Sequence, residues 1–353
     1  MKLALYDIGT NSIHLVVIRV REDMTFEVLT HEKDMTRLGE GSFQSKRLAA
    51  RPMRRALDVL ERFSKIARKT RVDESIVVAT SAVRDAKNAN FFVRAVNQKT
   101  GLKVRVISGE EEARLIFLAA VSSVETYGKK VLAVDIGGGS MELTLGNKRG
   151  IHFIRSYPLG TARLTNLFLH KDPPSKKELK RLEAYLHHEL KESLKKIRKI
   201  GFDYVVGTSG TMINLAAMIS HERDGRPLPF VNEFKMRRAD IDRIEKKLIR
   251  LNNAERRALP GLDPKRADII TGGAVLVRLL THELGVKSVT LSDWGIREGM
   301  AIDYIKNHKQ DFTGGRKGAS LRENSVLNFG RRYLLEEKHA KRRKDKKDSK
   351  SRK

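Results

Sequence analysis

The chain opens with two stretches of β pattern. Residues 2 to 7 are mostly apolar, and residues 12 to 20 are apolar positions that alternate in part with polar ones. The intervening residues 9 to 11 contain the glycine and asparagine that are typical of a turn. The pattern therefore predicts a β-hairpin, and residues 26 to 32 form a candidate third strand.

Helical spacing follows the hairpin. Leu57, Leu60, Phe63 and Ile66 recur on one face of a helical period, which predicts a long helix over residues 47 to 69. Further strands are predicted at 76 to 80 and 103 to 107, and further helices at 88 to 99 and 110 to 121. This alternation of strands and helices indicates an α/β protein.

The hairpin pattern then returns in the middle of the chain. A strand at 130 to 135, a turn at 137 to 139 and a strand at 141 to 145 repeat the first order, and both copies contain Asp-Ile-Gly-x-x-Ser. A single duplication at this spacing predicts two related lobes, because solenoid repeats are much shorter. Later strands are predicted at 204 to 206 and 288 to 291, and later helices at 174 to 200, from 212, at 238 to 251, 264 to 284 and 296 to 306.

Composition bounds the class of protein. The 353 residues are 40% hydrophobic, which is enough for two domains with separate cores. The formal net charge of +28 attracts nucleic acid, an anionic membrane surface or a phosphate-rich small molecule, and it does not choose among these. The chain has no cysteine, which excludes disulfides and thiolate metal sites.

Two expectations concern location and the basic end of the chain. No apolar run reaches the roughly 18 to 20 residues that span a bilayer, and the N-terminus lacks the apolar segment of a signal peptide, so we expect a cytoplasmic protein without a membrane partner. Residues 338 to 353 are almost devoid of apolar side chains, which predicts disorder. This tail is either an electrostatic arm for polyphosphate or nucleic acid, or a solvated segment without a specific role.

The repeated loops have a chemistry that suits phosphate. Glycines after a strand let successive backbone N–H groups converge on phosphate oxygens. Asp7 and Asp135 close the preceding strands, and a carboxylate favours phosphate only through a bridging Mg²⁺ or water. One such loop is usually a plain hairpin turn. Two copies, together with Gly207-Thr-Ser-Gly-Thr211 before a predicted helix, favour a phosphate site.

Two further strand-to-helix junctions carry charged side chains. In Ile107-Ser-Gly-Glu-Glu-Glu-Ala-Arg114, Ser108 would cap a helix whose positive end favours the glutamates. Alternatively, one glutamate is a general base for an attacking water, and composition leaves both interpretations open. In Thr80-Ser-Ala-Val-Arg84 the hydroxyls are expected to cap a helix, while Arg84 lies either at the surface or in a cleft.

Eight motifs that occur in order carry a resemblance to a known family: Asp7-Ile-Gly-Thr-Asn-Ser12, Ala79-Thr-Ser-Ala-Val-Arg84, Ile107-Ser-Gly-Glu-Glu-Glu-Ala-Arg-Leu-Ile116, Asp135-Ile-Gly-Gly-Gly-Ser-Met-Glu142, Pro158-Leu-Gly-Thr-Ala-Arg-Leu164, Gly207-Thr-Ser-Gly-Thr211, Leu259-Pro-Gly-Leu-Asp-Pro-Lys-Arg-Ala-Asp-Ile269 and Ser292-Asp-Trp-Gly-Ile-Arg-Glu-Gly299. Together they resemble the exopolyphosphatase/guanosine pentaphosphate phosphohydrolase (Ppx/GppA) family over about residues 1 to 310, in its short two-domain form.

The resemblance implies a fold. It is an α/β architecture of two actin/Hsp70/sugar-kinase-like (ribonuclease H-like) duplicated domains with an interdomain cleft. Domain I would comprise residues 1–118 and be joined by the last helix at about 296–310. Domain II would comprise residues 119–295, and residues 311–353 would be the disordered basic tail. The resemblance also allows a homodimer.

The resemblance further implies an activity and a set of site residues. Family members remove terminal phosphates from polyphosphate, from the stringent-response alarmone pppGpp, or from both, with Mg²⁺ or alternatively Mn²⁺. Glu112 would be the catalytic base, and Asp135 and Glu142 would hold the metal or the water. The substrate would be bound by the following residues: Asn11, Ser12, Arg84, Gly137, Gly138, Gly139, Ser140, Gly207, Thr208, Ser209, Gly210 and Arg266.

Two other functions stay open. One is an ATP-dependent kinase or ATPase of the same superfamily, because Gly207-Thr-Ser-Gly-Thr211 resembles its adenosine-side loop. The other is a non-catalytic regulator that binds a polyanion or alarmone, which the basic tail favours. The motif context of Glu112 disfavours the first, and the complete acidic set disfavours the second. His14, His152 and Trp294 show no ligand spacing, and we expect them to be structural.

Overall fold

A computed structural model describes residues 1–124 and 128–308. The predicted tail at 311–353 lies outside the described residues. The chain forms two β-sheets, one of five strands in the order β3-β2-β1-β4-β5 and one of six strands in the order β10-β11-β9-β6-β7-β8. The second order contains the first, since β8-β7-β6-β9-β11 corresponds to β3-β2-β1-β4-β5. The predicted duplication is therefore a duplication of sheet topology.

The first sheet opens with an antiparallel meander and continues with parallel strands. Its strands are β1 Lys2–Ile8, β2 Ile13–Val20, β3 Phe26–Asp34, β4 Glu74–Ala79 and β5 Val104–Val106. The helices of this part are α1 Ser42–Ser45, α2 Ala50–Thr70, α3 Ser81–Arg84, α4 Ala89–Thr100 and α5 Gly109–Ser123.

The second sheet follows the same plan with one added edge strand. Its strands are β6 Val131–Ile136, β7 Met141–Asn147, β8 Gly150–Tyr157, β9 Tyr204–Thr208, β10 Lys235–Arg237 and β11 Ser288–Leu291. The remaining helices are α6 Thr161–Phe168, α7 Lys176–Ile200, α8 Ser209–Asp224, α9 Arg238–Leu248, α10 Asn253–Arg257, α11 Ile270–Glu283 and α12 Ile296–Asn307, with a 3-10 turn at Pro264–Arg266.

Apolar faces of the helices cover both sides of each sheet. Leu60 and Phe63 of α2 are fully buried against one face of the first sheet. In α7, Leu182, Leu186 and Leu190 recur every fourth residue and are fully buried in the core of the second lobe. Each such side chain contributes roughly 1.5–3 kcal/mol of burial free energy, so these stripes hold the helices in place.

Helix α5 joins the two lobes. Its Leu115 belongs to the core of the first sheet, and its Phe117 packs with Val131 and Val206 of the second. The predicted boundary at residue 118 therefore falls inside a helix that both lobes share. Helix α12 returns to the first sheet and crosses α5 closely, because a Cβ on Gly299 would lie 2.1 Å from the Leu115 carbonyl oxygen.

Two predictions of helix bounds were wrong, and several elements were not predicted. The helix predicted over 264 to 284 is a 3-10 turn followed by α11, because the Asp263 carboxylate caps the turn by accepting the Lys265 N–H at 3.0 Å. The helix predicted from 212 begins at Ser209, whose hydroxyl anchors it to the Ile136 carbonyl at 2.6 Å. Strand β8 and helix α6 were not predicted; β8 is a half-exposed edge strand, so its apolar pattern is weak.

The helices were also compared with the length and hydropathy needed to cross a membrane. Within residues 1–124 and 128–308, no helix is both long and apolar enough to cross a membrane.

Candidate active site

The two repeated loops make the same turn and face each other across the cleft. In the first, the Gly9 N–H donates to the Ser12 carbonyl at 3.1 Å, and in the second the Gly137 N–H donates to the Ser140 carbonyl at 3.0 Å. Each loop follows the first strand of its sheet, so the shared hairpin backbone places both loops at corresponding edges of the two lobes.

The side chains of the two loops are complementary. A Cβ on Gly139 would lie 2.4 Å from Thr10 Oγ1, and one on Gly138 would lie 3.0 Å from the Cβ of Asn11. The second loop needs glycine because side chains of the first loop occupy the space beside it. Close contact between the loops thus adds a steric requirement for these glycines to their expected role in presenting backbone N–H groups to phosphate.

Four carboxyl groups meet beside the loops: Asp7, Glu112, Asp135 and Glu142. Asp135 and Glu142 lie directly opposite each other on β6 and β7. Burial, followed by the charges of Glu112 and Asp7, raises the pKa of Asp135 to about 8. Burial also raises the pKa of Asp7 to about 7; Arg297 opposes this shift and Glu112 adds to it. Burial and the charges of Glu112 and Asp135 raise the pKa of Glu142 well above its usual range.

Glu112 reaches this cluster from the first turn of α5. Ser108 caps the helix as expected, because its hydroxyl accepts the Glu111 N–H at 3.1 Å. Glu111 pairs outward with Arg114 at 2.8 Å, whereas the Glu112 side chain is buried. The capping interpretation is therefore confirmed at Ser108, and the general-base interpretation stays a prediction, with Glu112 as the buried glutamate of the motif.

Arg84 lies in the cleft and not at the surface. Its Nη1 donates to Glu112 Oε2 at 2.7 Å, and its side chain is 20% exposed. Burial raises the pKa of Glu112, although the charge of Arg84 and hydrogen bonds from Arg84 and Thr80 oppose this shift. The expectation that Thr80 caps α3 was wrong, because its hydroxyl makes no capping hydrogen bond.

Arg266 lies at the break before α11 and covers the junction of β9 and α8 at 207–211. A Cβ on Gly210 would lie 2.2 Å from Arg266 Nη2, so only glycine fits beneath the guanidinium. The hydroxyls of the junction face inward: Thr208 donates to the Trp294 carbonyl at 2.7 Å, and Ser209 to that of Ile136. A cofactor or substrate at Gly207, Thr208 or Ser209 would therefore meet their backbone.

A cavity of about 710 Å³ opens onto Arg84 and Ser140. Both lobes line it, and the sequence analysis assigned no role to its Arg155, Ser156 and Arg163. Ser156 donates to Glu142 Oε1 at 2.8 Å. Arg163 bridges the lobes by donating to the Gly139 carbonyl at 2.8 Å and pairing with Asp85. The only sequence signal for Arg163 is its place in the motif at 158–164.

Comparison with known proteins agrees with this geometry. A sequence model of the Ppx/GppA phosphatase family matches residues 16–308. The chain belongs to the Ppx/GppA phosphatase family. It is 30% identical to Exopolyphosphatase 1 of Mycobacterium tuberculosis over 307 residues, which cover 86% of this chain and 88% of that protein.

Solved structures of Ppx/GppA proteins have the same fold. An exopolyphosphatase from Cytophaga hutchinsonii superposes with a TM-score of 0.81 at 28% identity, covering 90% of this chain and 100% of that one. The Ppx/GppA family member of Aquifex aeolicus gives a TM-score of 0.72 at 28% identity, covering 87% and 98%. The predicted fold class, two duplicated actin-like lobes around a cleft, is confirmed.

The residues of this Ppx/GppA chain fit a magnesium ion that substrate helps to hold. Among the described residues, no group of three or more His, Cys, Asp and Glu side chains could hold a metal. Mg²⁺ is usually bound by one or two carboxylates together with waters and substrate phosphates. The buried Asp135–Glu142 pair offers hard oxygen ligands of this kind, and a cation would offset both the burial and the repulsion that raise their pKa values.

Proposed function

We propose that this chain is a Mg²⁺-dependent phosphohydrolase that releases orthophosphate from the end of polyphosphate, converts pppGpp to ppGpp, or does both. The observation that carries the proposal is the buried Glu112, held by Arg84 in the same cleft as the Asp135–Glu142 pair. The names of the exopolyphosphatase relatives favour polyphosphate as a substrate.

Two buried donors in the cleft support an anionic ligand. Asn11 Nδ2 and Arg266 Nε are buried and find no hydrogen-bond acceptor within the described parts of the chain. A buried donor without an acceptor costs about 1–3 kcal/mol. Phosphate oxygens would satisfy both groups, and Asn11 and Arg266 belong to different lobes. A polyphosphate end bound between the lobes is therefore consistent with these contacts.

Glu112 suits the role of general base. Its pKa is raised by burial, and an effective base has a pKa close to the working pH. It would accept the proton of a water that attacks the terminal phosphorus, while Arg84 neutralises charge on the phosphoryl oxygens. Asp135 and Glu142 would hold Mg²⁺, which supplies further charge neutralisation when bound.

Phosphate release from purified protein tests this function. Polyphosphate and pppGpp are supplied side by side, each with Mg²⁺ and with chelator, and orthophosphate is measured over time. We expect release from at least one substrate and loss of release in chelator. If neither substrate yields orthophosphate with Mg²⁺ or Mn²⁺, the hydrolase proposal is wrong.

The same assay separates the two alternatives. A kinase or ATPase would consume ATP and transfer its phosphate, so ATP is added with polyphosphate and the products are separated. Orthophosphate from polyphosphate without ATP favours the hydrolase, whereas ATP-dependent phosphorylation favours the kinase. A regulator would bind polyphosphate or pppGpp without releasing phosphate. An equilibrium binding measurement with each compound, made beside the phosphate-release assay, detects this outcome.

A further inference from the structure

A hydrogen-bonded chain behind the first loop connects Ser12 to the last helix. Ser12 Oγ lies 2.9 Å from His14 Nε2. The Nη1 atom of Arg297, near the start of α12, lies 3.1 Å from His14 Nδ1 and 2.7 Å from His31 Nε2. The two imidazole rings are stacked with centroids 5.9 Å apart. The chain therefore links a loop residue to a helix from the opposite end of the sequence.

The chemistry of arginine sets the direction of every bond in this chain. A guanidinium group only donates, and Nη1 carries two hydrogens, one for each histidine. His14 Nδ1 must therefore be an acceptor, so a neutral His14 carries its proton on Nε2. That Nε2–H then donates to Ser12 Oγ. The hydroxyl proton of Ser12 is not needed for this contact and is free to point into the cleft.

The electrostatic surroundings keep His14 neutral. Burial, followed by the charges of Arg297 and Lys33, holds the pKa of His14 well below its usual range. Burial and Arg297 likewise lower the pKa of His31. A protonated imidazole would place a hydrogen on Nδ1 against the guanidinium, which would break the contact with Arg297.

The second hairpin contains the opposite arrangement. Ser140 corresponds to Ser12 and Glu142 to His14 in the repeated motif, and Ser140 is hydrogen-bonded to the Glu142 carboxyl. The same Glu142 carboxyl accepts a second hydrogen bond, from Ser156 at 2.8 Å. Ser140 is therefore paired with a carboxyl group, whereas Ser12 is paired with an imidazole whose facing nitrogen is a donor.

We propose that Arg297 and His14 are positioning residues that fix the Ser12 hydroxyl as a hydrogen-bond donor to a phosphate oxygen of the substrate. This inference rests on the proposed function, since it assumes that a phosphate lies against the first loop. It assigns a role to His14, His31 and Arg297 that their sequence pattern does not indicate. Among Ser12, His14, His31 and Arg297, Ser12 is the residue that would touch the substrate.

A double-mutant cycle on phosphate release tests the link. His14→Phe keeps an aromatic ring and removes both nitrogens, and Ser12→Ala removes the hydroxyl. We expect each variant to raise KM for short polyphosphate by roughly 3–10-fold, which is the change expected from the loss of one hydrogen bond. The change in kcat should be much smaller. The double variant should be no worse than Ser12→Ala alone. Additive effects would mean that His14 acts through another group and would overturn the proposal.

Two further variants separate positioning from folding. His14→Gln keeps an N–H that can reach Ser12, so it should recover most of the KM that His14→Phe loses. His152→Gln, an exposed histidine on β8, is the matched control and should change neither KM nor thermal stability. If His14→Gln and His14→Phe are equally impaired at unchanged thermal stability, the donated N–H is not what matters.

The tautomer of His14 is measurable without any substrate. In protein labelled with ¹⁵N-histidine, the His14 signals are assigned by their loss in His14→Gln. We expect the neutral Nε2–H form at about pH 7, and Arg297→Met should increase the fraction of the Nδ1–H form, because it removes the donor that faces Nδ1. A charged ring or the Nδ1–H form would overturn the proposal even if phosphate release is confirmed. Conversely, the expected tautomer in a protein that releases no phosphate would refute the proposed function alone.

Discussion

The two hairpins share one backbone and differ in charge. Both begin with a strand-closing aspartate and make the same hydrogen-bonded turn. Asp7 lies opposite His14 in its hairpin, whereas Asp135 lies opposite Glu142. The same position thus carries an imidazole in one lobe and a carboxyl group in the other. The two hairpins have the same backbone, and the difference between His14 and Glu142 gives one wall of the cleft a hydrogen-bond donor and the other an acidic group.

The loops between these strands also differ in a complementary way. The first has Thr10 and Asn11 where the second has Gly138 and Gly139, and these pairs pack on each other. A symmetric pair of loops would either collide or leave a gap. The asymmetry lets the two loops pack closely beside the carboxyl cluster, so the loops serve both as walls of the site and as a contact between the lobes.

The largest expected effect comes from the residue that neither hairpin supplies. Glu112→Gln should lower the rate of phosphate release by about 10²–10⁴-fold, because the amide cannot accept a proton from water. Substrate binding, measured at equilibrium, should remain nearly intact. Glu111→Gln is the matched control on the same helical turn, since Glu111 pairs outward with Arg114. Near-normal turnover of Glu112→Gln would place the base elsewhere.

The second prediction tests whether the cation belongs to one hairpin only. Glu142→Gln should raise the Mg²⁺ concentration that half-saturates activity by at least about tenfold, because it removes a ligand oxygen. Asp7→Asn is the comparison in the other hairpin, and its half-saturating concentration should change by less than about threefold. If the half-saturating Mg²⁺ concentration rises equally in both variants, both hairpins hold the cation. The proposed difference between the two walls of the cleft would then be wrong.

The residues in these two predictions also show which parts of the site could be predicted from the sequence and which could not. Asp135, Glu142 and Glu112 belong to motifs that carry the resemblance to the Ppx/GppA family, so their meeting in one cleft was expected from that resemblance. His14 has no such signal. Its partner Arg297 is 283 positions away, and a lone histidine in a strand is usually structural. The break before α11 was missed for a similar reason, since it depends on one capping aspartate within a helical pattern.

The third prediction concerns the packing of the loops. Gly139→Ala should lower the free energy of unfolding by about 1–3 kcal/mol, because its Cβ would lie 2.4 Å from Thr10 Oγ1 and 2.7 Å from Ser81 Oγ. Thr10→Ala in the same chain should restore part of that loss. Gly150→Ala is the control, since nothing lies within 4 Å of its added Cβ. Denaturant unfolding measures all three, and equal stability of Gly139→Ala and Gly150→Ala would contradict the contact.

The last prediction separates the two aspartates by their titration. A carboxyl whose pKa is raised in the folded chain stabilises the fold below its unfolded pKa, and this contribution is lost as the pH rises through its folded value. The folded values are about 7 for Asp7 and about 8 for Asp135, against an ordinary value of 3.8. In chelator, Asp135→Asn should therefore raise Tm relative to the unsubstituted chain, and by more at about pH 8.5 than at about pH 5.5. Asp7→Asn should reach its full gain in Tm at a lower pH than Asp135→Asn, because the folded pKa of Asp7 is lower.

Magnesium supplies the control for this measurement. Excess Mg²⁺ should stabilise the unsubstituted chain at about pH 8.5 by binding the folded state, and it should stabilise Asp135→Asn much less. Because the chain carries a formal charge of +28, its overall stability also varies with pH, so only differences between variants at one pH are compared. If both substitutions change Tm equally at every pH, the two aspartates are electrostatically equivalent, and the hairpins differ in shape alone.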